Sequence, residues 1–185
     1  MNNQHYAGFF IRLFANLIDQ LIGAGVFLLL TLPIFTQTSL NSILNSALSL
    51  VILLTYIGVI LPIIYCYIIS KFGGTPGKLL FGLIITNEKG ELISFKRAIF
   101  RTYIGQFTSL LFFGLGYFWI FKDKKRRSFH DLVTGSVVIV NHSLGVFLGI
   151  SAIIALLILN LILAKNIGTQ VTKNLDFYKT GLTLN

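Results

Sequence analysis

The sequence predicts an all-α integral membrane protein with three transmembrane helices, one further segment that spans or re-enters the bilayer, and a small cytoplasmic β-hairpin. Hydrophobic residues make up 55% of the 185 residues and charged residues only 11%, a composition well outside that of soluble domains. Three apolar stretches reach the length of about 20 residues that a helix needs to cross a bilayer. They cover about residues 6–32, 43–69 and 144–164.

The first apolar stretch contains an arginine and an aspartate at membrane depth. At 100° per residue, one helix face contains Gly8, Arg12, Asn16, Asp19 and Gly23. An ionised side chain at the centre of a membrane helix costs about 2.5–3.5 kcal/mol, so such residues usually face protein or a watery cavity. We therefore expect a polar site on this face. The structural alternative is that Arg12 extends to the headgroups and Asp19 only joins helices.

The other two stretches contain no charged residue. In the second, Pro62 predicts a kink, and the single cysteine, Cys66, excludes an intrachain disulfide and suits a buried apolar position. In the last, Gly145 and Gly149 are four residues apart, which makes them a candidate helix–helix contact in an oligomer.

The positive charges predict the orientation in the membrane. The net charge is +9, and lysines and arginines are concentrated at the ends of the apolar stretches, where anionic lipid headgroups lie. The link 33–45 has none, whereas 71–101 has six and 122–127 has five. We therefore expect a cytoplasmic amino terminus, in a bacterial cytoplasmic membrane. No nucleic-acid-reading module accompanies the charge, so nucleic acid is not an expected partner.

Residues 102–121 form an uncharged segment of about the length needed to cross once. A crossing would export the basic residues 122–127, against the positive-inside rule. Gly114 and Gly116 allow the chain to turn back instead, so we favour a re-entrant segment over a fourth span. The tail from Lys165 is then extracytoplasmic.

The segment between the second and third apolar regions predicts short helices and strands. Thr75 and Pro76 suit the N-cap and first position of a helix; a phosphate loop is rejected, because Phe72 stands at its glycine position and Leu79 follows the lysine. Residues 83–86 and 91–94 read as a hairpin with a turn at 87–90.

Two further parts of the cytoplasmic segment allow more than one interpretation. Residues 137–140 could add a third strand or begin the last helix. Ser94 begins a helix in which Lys96, Arg97 and Arg101 lie beside apolar residues, as in a helix at the membrane surface.

A second acidic centre follows the basic residues 122–127, at His130 and Asp131. A carboxylate there can neutralise nearby cations, and histidine is the side chain whose ordinary pKa of about 6.5 allows proton exchange near neutrality. The alternative is that Asp131 only caps the following turn and that His130 is a solvated surface residue.

These residues together resemble the RDD family of small membrane proteins, which is named for one arginine and two aspartates. Arg12, Asp19 and Asp131 correspond to the three, and residues 123–131 match the family's basic run before Leu-His-Asp, with Phe129 for leucine. The Gly-x-Thr-x-Gly-Lys element is similar to residues 73–78. The resemblance covers residues 5–141; residues 142–164 form an additional transmembrane helix, and 165–185 a polar tail.

The resemblance implies transport of an ion or another ligand. We expect an exchange of a monovalent cation for protons through a polar site. Three spans and a re-entrant segment are too few to enclose a pathway alone, so a homo-oligomer or a membrane partner is expected. The alternative is a non-transporting assembly factor, scaffold or regulatory subunit. No nucleophile with a base, metal-ligand cluster or cofactor motif is recognisable, so an enzyme is not expected. The site residues are Arg12, Asn16, Asp19, His130 and Asp131.

Overall fold

The computed structural model describes residues 5–35, 41–111, 115–141 and 145–182. Within these ranges it contains α-helices joined by short loops and one small sheet. In chain order the elements are α1 (Phe9–Phe35), α2 (Asn41–Thr55), α3 (Leu61–Phe72), α4 (Pro76–Leu80), β1 (Leu83–Asn87), α5 (Phe95–Leu111), α6 (Leu115–Phe118), α7 (Phe129–Thr134), β2 (Ser136–Val140) and α8 (Gly145–Leu182).

Three stretches are long and apolar enough to cross a membrane, namely Phe9–Thr31, Leu48–Leu80 and Gly145–Lys173. Few of their side chains are buried within the chain; Phe147, for example, is 76% exposed. Such apolar exposure suits hydrocarbon rather than water. The prediction of three membrane-length helices is confirmed. The last helix continues to Leu182, so the predicted polar tail is helical over its described part.

The predicted kink at Pro62 coincides with a change in helix type. Residues Tyr56–Ile60 form a wider π-helical turn directly before α3. Proline lacks the N–H of a regular helix and clashes with the preceding turn, and a π turn is one way in which a helix relieves such a conflict.

The small sheet pairs β1 with β2 in antiparallel register, from Leu83 opposite Val140 to Asn87 opposite Ser136. The strand at 83–86 and the turn at 87–90 were predicted, but the partner strand 91–94 was wrong. Only a single bridge, Thr86 to Leu92, forms there. The β-branched run 137–140 is the partner instead, and it does not begin the last helix.

Contacts divide the chain into two compact units. The first comprises residues 1–19 and 61–153, and it contains the sheet, α3 to α7 and the two polar centres described below. In this unit α5 packs against α3 and α7. The second comprises residues 20–60 and 154–185; in it Asn160 of α8 donates from Nδ2 to the carbonyl of Leu21 at 3.1 Å.

Helix α5 begins directly after Ser94, as predicted, and runs without interruption to Leu111. The expected surface helix and the first part of the expected re-entrant segment are therefore one helix. The turn expected at Gly114 lies outside the described residues.

The glycine pair of the last helix has an internal role, and its predicted use as an oligomer contact is wrong. A Cβ on Gly145 would lie 2.3 Å from the backbone of Phe81, and one on Gly149 would lie 2.4 Å from its ring. The absence of a Cβ at both glycines therefore lets Phe81 of the same chain pack against α8, and Phe81 is 1% exposed.

Candidate functional site: two buried carboxylates

The first polar centre is built around Asp131, which is 0% exposed. Arg12 donates from Nη1 to Oδ2 at 2.6 Å, and Arg101 donates from Nη2 to Oδ1 at 2.6 Å and from Nε at 3.1 Å. Ser128 donates to Oδ2 from its backbone N–H at 3.1 Å and its hydroxyl at 2.8 Å, and Ser136 donates to Oδ1 at 3.3 Å. Both oxygens are thus fully occupied by charged and polar donors.

Local structure explains how Asp131 reaches this position. It lies in the first turn of α7, where its carboxylate accepts the backbone N–H of Ser128, the residue that begins the helix. This is the capping interaction by which an acidic residue satisfies a free N–H at a helix start. Gly135, with φ of +59°, ends the helix and directs the chain into β2.

Arg12 is held by three elements at once. Besides Asp131, it donates from Nε to the carbonyl of Ala7 at 3.1 Å and from Nη2 to the carbonyl of Arg126 at 2.7 Å. Arg126 is the described non-glycine residue with positive φ, at 51°, a conformation that is uncommon for such residues. Its backbone therefore adopts an unfavourable conformation while its carbonyl accepts from a buried guanidinium.

His130 lies beside this centre and is 8% exposed. Its Nε2 is 3.0 Å from the hydroxyl of Ser128 and 3.4 Å from Nη2 of Arg101, and the ring of Tyr117 meets it edge-on at 5.4 Å. Burial lowers the pKa of His130 to about 3, so the folded protein holds it neutral at physiological pH. The alternative of a solvated histidine is wrong.

Burial alone would raise the pKa of Asp131, but the charges of Arg101 and Arg12 outweigh it and hold this pKa well below the ordinary value. The carboxylate therefore stays ionised. Two guanidiniums share it, and arginine does not lose its proton in proteins, so the described centre retains one excess positive charge.

The second polar centre is built around Asp19, which is 9% exposed. Thr75 donates its hydroxyl to Oδ2 at 2.5 Å, and Gly77 donates its backbone N–H to Oδ1 at 2.8 Å. The ammonium of Lys78 is 3.9 Å from Oδ2; it donates to Asn16 Oδ1 at 2.8 Å and to Thr75 Oγ1 at 3.4 Å. The ammonium therefore lies among three side-chain oxygens.

Helix α4 reaches Asp19 because of its glycine. A Cβ on Gly77 would lie 2.0 Å from the carbonyl oxygen of Ala15, so only glycine allows this approach. Thr75 occupies the predicted N-cap position and Pro76 the first helical position. The hydroxyl of Thr75 does not cap the helix, however, because it donates to Asp19.

A cavity of about 240 Å³ touches one residue from each centre, Arg12 and Asn16. Its remaining lining is apolar or aromatic and consists of Phe9, Leu13, Tyr117, Phe118 and Ile120. Among the described residues there is no group of three or more His, Cys, Asp or Glu side chains that could bind a metal ion.

A third set of charges lies at the surface. Arg127 donates to both oxygens of Asp123 at 2.9 Å and to Glu88 at 2.9 Å, and Lys125 pairs with Glu88 at 3.0 Å. The hydrogen bond from the Arg127 side chain is the main cause that lowers the pKa of Asp123 to about 2. Part of the basic stretch 122–127 is therefore paired with acidic side chains.

The structure divides the five predicted site residues between the two centres. Arg12, His130 and Asp131 meet in the first, and Asn16 and Asp19 in the second. Asp131 pairs with Arg12 and also caps the start of α7. Arg12 and Asp19 lie on the predicted polar face of α1, but each has partners on other elements.

Sequence reasoning missed the partners that other elements supply. Arg101 was assigned to a membrane-surface helix, yet it is 6% exposed and bonded to Asp131. Thr75, Gly77 and Lys78 were recognised as a helix start and as part of a family element, but not as partners of Asp19. The Gly-Gly-Thr-Pro-Gly-Lys element contained a usable signal. It places Lys78 next to one membrane segment, and such a lysine is a candidate partner for Asp19 in another membrane segment.

Comparisons with known proteins match most of the chain. The model of the RDD family matches residues 6–135, a range that contains both buried carboxylates and ends before α8. A relative described as an uncharacterized membrane protein, YteJ of Bacillus subtilis (strain 168), is 27% identical over 140 residues, which are 72% of this chain and 80% of that protein. No solved structure matches.

Proposed function

This chain belongs to the RDD family of membrane proteins, and from that premise we propose that it exchanges a monovalent cation for a proton at the centre formed by Asp19 and Lys78. Asp19 binds the cation, and Lys78 carries the proton. Asn16 and Thr75 supply the remaining side-chain oxygens.

The position of the Lys78 ammonium carries this proposal. It lies 2.8 Å from Asn16 Oδ1, 3.4 Å from Thr75 Oγ1 and 3.9 Å from Asp19 Oδ2. An ammonium and a small metal cation both require oxygen acceptors. The Lys78 ammonium therefore lies among oxygens that could instead bind a free cation.

Charge balance couples the two ions. With Lys78 protonated, the pair with Asp19 is neutral, and an added cation would be an unpaired charge in a buried site, which is costly. When Lys78 releases its proton, the carboxylate is left unbalanced and attracts a cation. One proton therefore leaves for each cation that enters, and the exchange is electroneutral.

The depth of the centre supports a membrane-embedded site. Asp19 follows Phe9 by ten residues in α1, which corresponds to about 15 Å along the helix axis. The hydrocarbon core is about 30 Å thick, so the carboxylate lies near its middle if the span begins at Phe9. Ionisable residues at such depth mark ion and proton pathways in many membrane proteins.

The alternative is a non-transporting assembly factor, scaffold or regulatory subunit, and the Asp131 centre favours it. Every oxygen of Asp131 is occupied by donors from α1, α5, α7 and the start of β2. Such a saturated network joins elements and has no acceptor left for a ligand.

Ion flux measured in liposomes tests the proposal. Purified full-length protein is reconstituted with a pH-sensitive dye inside, and gradients of Na⁺, Li⁺ and K⁺ are applied in turn. We expect the wild type to move protons against at least one cation. Asp19→Asn and Lys78→Arg should lower this flux to the level of empty liposomes, because the first removes the cation ligand and the second a proton that can be released.

Glu91→Gln is the control, since this exposed residue touches neither centre and its hydrogen bonds in the described structure are to Asn87, within the same turn. It should leave the flux unchanged. Wild-type flux no greater than that of empty liposomes, for all three cations, would contradict transport and support the assembly role. Normal flux in Lys78→Arg would contradict the role of Lys78 as proton carrier.

A further inference from the structure

Gln20 is a polar side chain exposed at the middle of a membrane-length helix. It lies eleven residues after Phe9 and fifteen before Phe35, the two ends of α1, which is about 16 Å and 22 Å along the axis. Among the residues that the structure describes, it is exposed and its amide has no hydrogen-bond partner. An amide in hydrocarbon without a partner is costly, so this surface requires a cover that supplies hydrogen bonds.

The residues around Gln20 form an apolar seam on the same face of α1. Leu13, Leu17, Gln20, Ala24 and Phe27 are spaced four, three, four and three apart, and all are exposed. This spacing is the heptad pattern of helices that pack at a small left-handed angle. At 100° per residue the seam lies opposite the buried face of the helix, which contains Ala15 and Ile18.

Two other polar side chains at membrane depth donate a hydrogen bond within the chain, unlike Gln20. Asn160 of α8 donates from Nδ2 to the backbone of α1 at Leu21, and the hydroxyl of Thr31 donates to the carbonyl of Leu28 at 2.9 Å. The glycines of α8 are also used internally, by Phe81. The Oδ1 of Asn160 has no partner either, but it is buried; of these three side chains Gln20 is the one that is both exposed and unpaired.

We propose that this seam binds the same seam of a second copy of the chain, in a parallel two-fold dimer centred on Gln20. Two copies inserted in the same orientation place residue 20 at the same depth. A glutamine amide contains both donors and an acceptor, so two of them can bond to each other across a two-fold axis. Ala24, one turn away, leaves room for the helices to approach.

Disulfide cross-linking in membranes tests the geometry. The full-length chain is used in a Cys66→Ser background, with Leu17→Cys or Ala24→Cys introduced singly and an oxidant added. Both should give a cross-linked dimer, because paired residues across the seam come within disulfide range. Phe14→Cys is the matched control: Phe14 is 46% exposed at nearly the same depth, but about 100° away around the helix.

A change of Gln20 itself tests the energetic role. Energy transfer between labelled copies in liposomes gives the dimer dissociation constant as lipid is added. Gln20→Leu should raise this constant about tenfold, the size of effect expected for interhelical hydrogen bonds in a membrane, whereas Gln20→Asn should raise it less. The Leu variant keeps the apolar seam, and thermal unfolding checks that it stays folded.

Three results would overturn the proposal. One is cross-linking at Phe14 as efficient as at residues 17 and 24. Another is an unchanged dissociation constant in Gln20→Leu. The third is a cysteine at residue 17 that cross-links to a different polypeptide and not to its own copy.

Discussion

The two carboxylates lie in the same compact unit and are both buried, Asp131 at 0% and Asp19 at 9% exposure, but their positive partners differ. Asp131 is bonded to the guanidiniums of Arg12 and Arg101, each at 2.6 Å. Asp19 faces one ammonium, Lys78, at 3.9 Å, and its closest donors are a hydroxyl and a backbone N–H. The first carboxylate is saturated by permanent charges, and the second is not.

This difference has a chemical consequence. A guanidinium does not release its proton in proteins, whereas a lysine ammonium does so readily when buried. Loss of Asp131 would leave two buried guanidiniums, whose charges no proton release can remove. At the Asp19 centre the same loss can be relieved by moving one proton. The comparison therefore assigns a stabilising role to Asp131 and is consistent with the exchange that we propose at Asp19.

Asp131→Asn should have the largest effect on stability. The substitution leaves Arg12 and Arg101 buried without their counter-charge, and breaking a buried pair in this way costs about 3–5 kcal/mol. We expect a loss of that size in the free energy of unfolding, measured by denaturant titration of the purified protein in detergent micelles. Asp19→Asn should cost clearly less, since Lys78 can become neutral.

A double substitution separates this charge effect from simple damage. Asp131→Asn combined with Arg101→Gln removes one of the unpaired guanidiniums and should recover part of the lost stability, as a non-additive double-mutant cycle. Equal losses for Asp131→Asn and Asp19→Asn would break the distinction between the two centres.

Acid should destabilise the protein through the Asp131 centre. Below its ordinary pKa of 6.5, His130 is protonated in the unfolded chain, while the folded chain keeps it neutral until about pH 3. The unfolded state then binds more protons, so the free energy of unfolding decreases as the pH falls through this window, by up to about 1.4 kcal/mol per pH unit. Asp131, whose pKa is lowered from 3.8, acts in the same direction below that value.

His130→Gln separates the two contributions. It should remove the loss of stability between about pH 6.5 and 4 and leave the steeper loss below pH 3.8 that comes from Asp131. Unfolding curves of both proteins across pH 7 to 3 make the comparison. A wild-type stability that stays constant from pH 7 down to 4.5 would show that His130 is not buried in its neutral form.

Local patterns in the sequence predicted what local physics determines. Apolar length predicted the three spans, and the Thr-Pro pair predicted the start of α4. The polar face of α1 correctly indicated residues that require partners. This face alone did not identify the partners, because helical periodicity relates residues within one helix and carries no information on a partner 119 positions away, which is the separation of Arg12 from Asp131.

Arg101 shows why the remaining partners could not be predicted. A helix with basic and apolar residues side by side has the same sequence pattern whether its cations face lipid headgroups or a buried carboxylate. Lys96 and Arg97 of α5 are exposed, but Arg101, one turn later, is buried. The packing of α5 against α7 makes this distinction, and that packing depends on contacts between distant parts of the chain.

Thr75→Val should have a smaller effect, which sharpens the description of the Asp19 centre. Valine has the shape of threonine, but the carboxylate loses the hydroxyl that donates to Oδ2 at 2.5 Å. We expect the free energy of unfolding in micelles to fall by about 1–2 kcal/mol, as for a hydrogen bond to a charged group inside a membrane protein.

Thr86→Val provides the matched control, because the same change removes a hydroxyl that has no hydrogen-bond partner. Thr86 is 2% exposed, and its Oγ1 has no hydrogen-bond partner in the described structure. Replacing an unpaired buried hydroxyl by a methyl group should leave stability unchanged or raise it. If both substitutions cost the same, the cost at residue 75 comes from packing. If only Thr75→Val is destabilising, the hydroxyl stabilises the ionised form of Asp19. The ionised form is the one that could bind a cation in the proposed exchange.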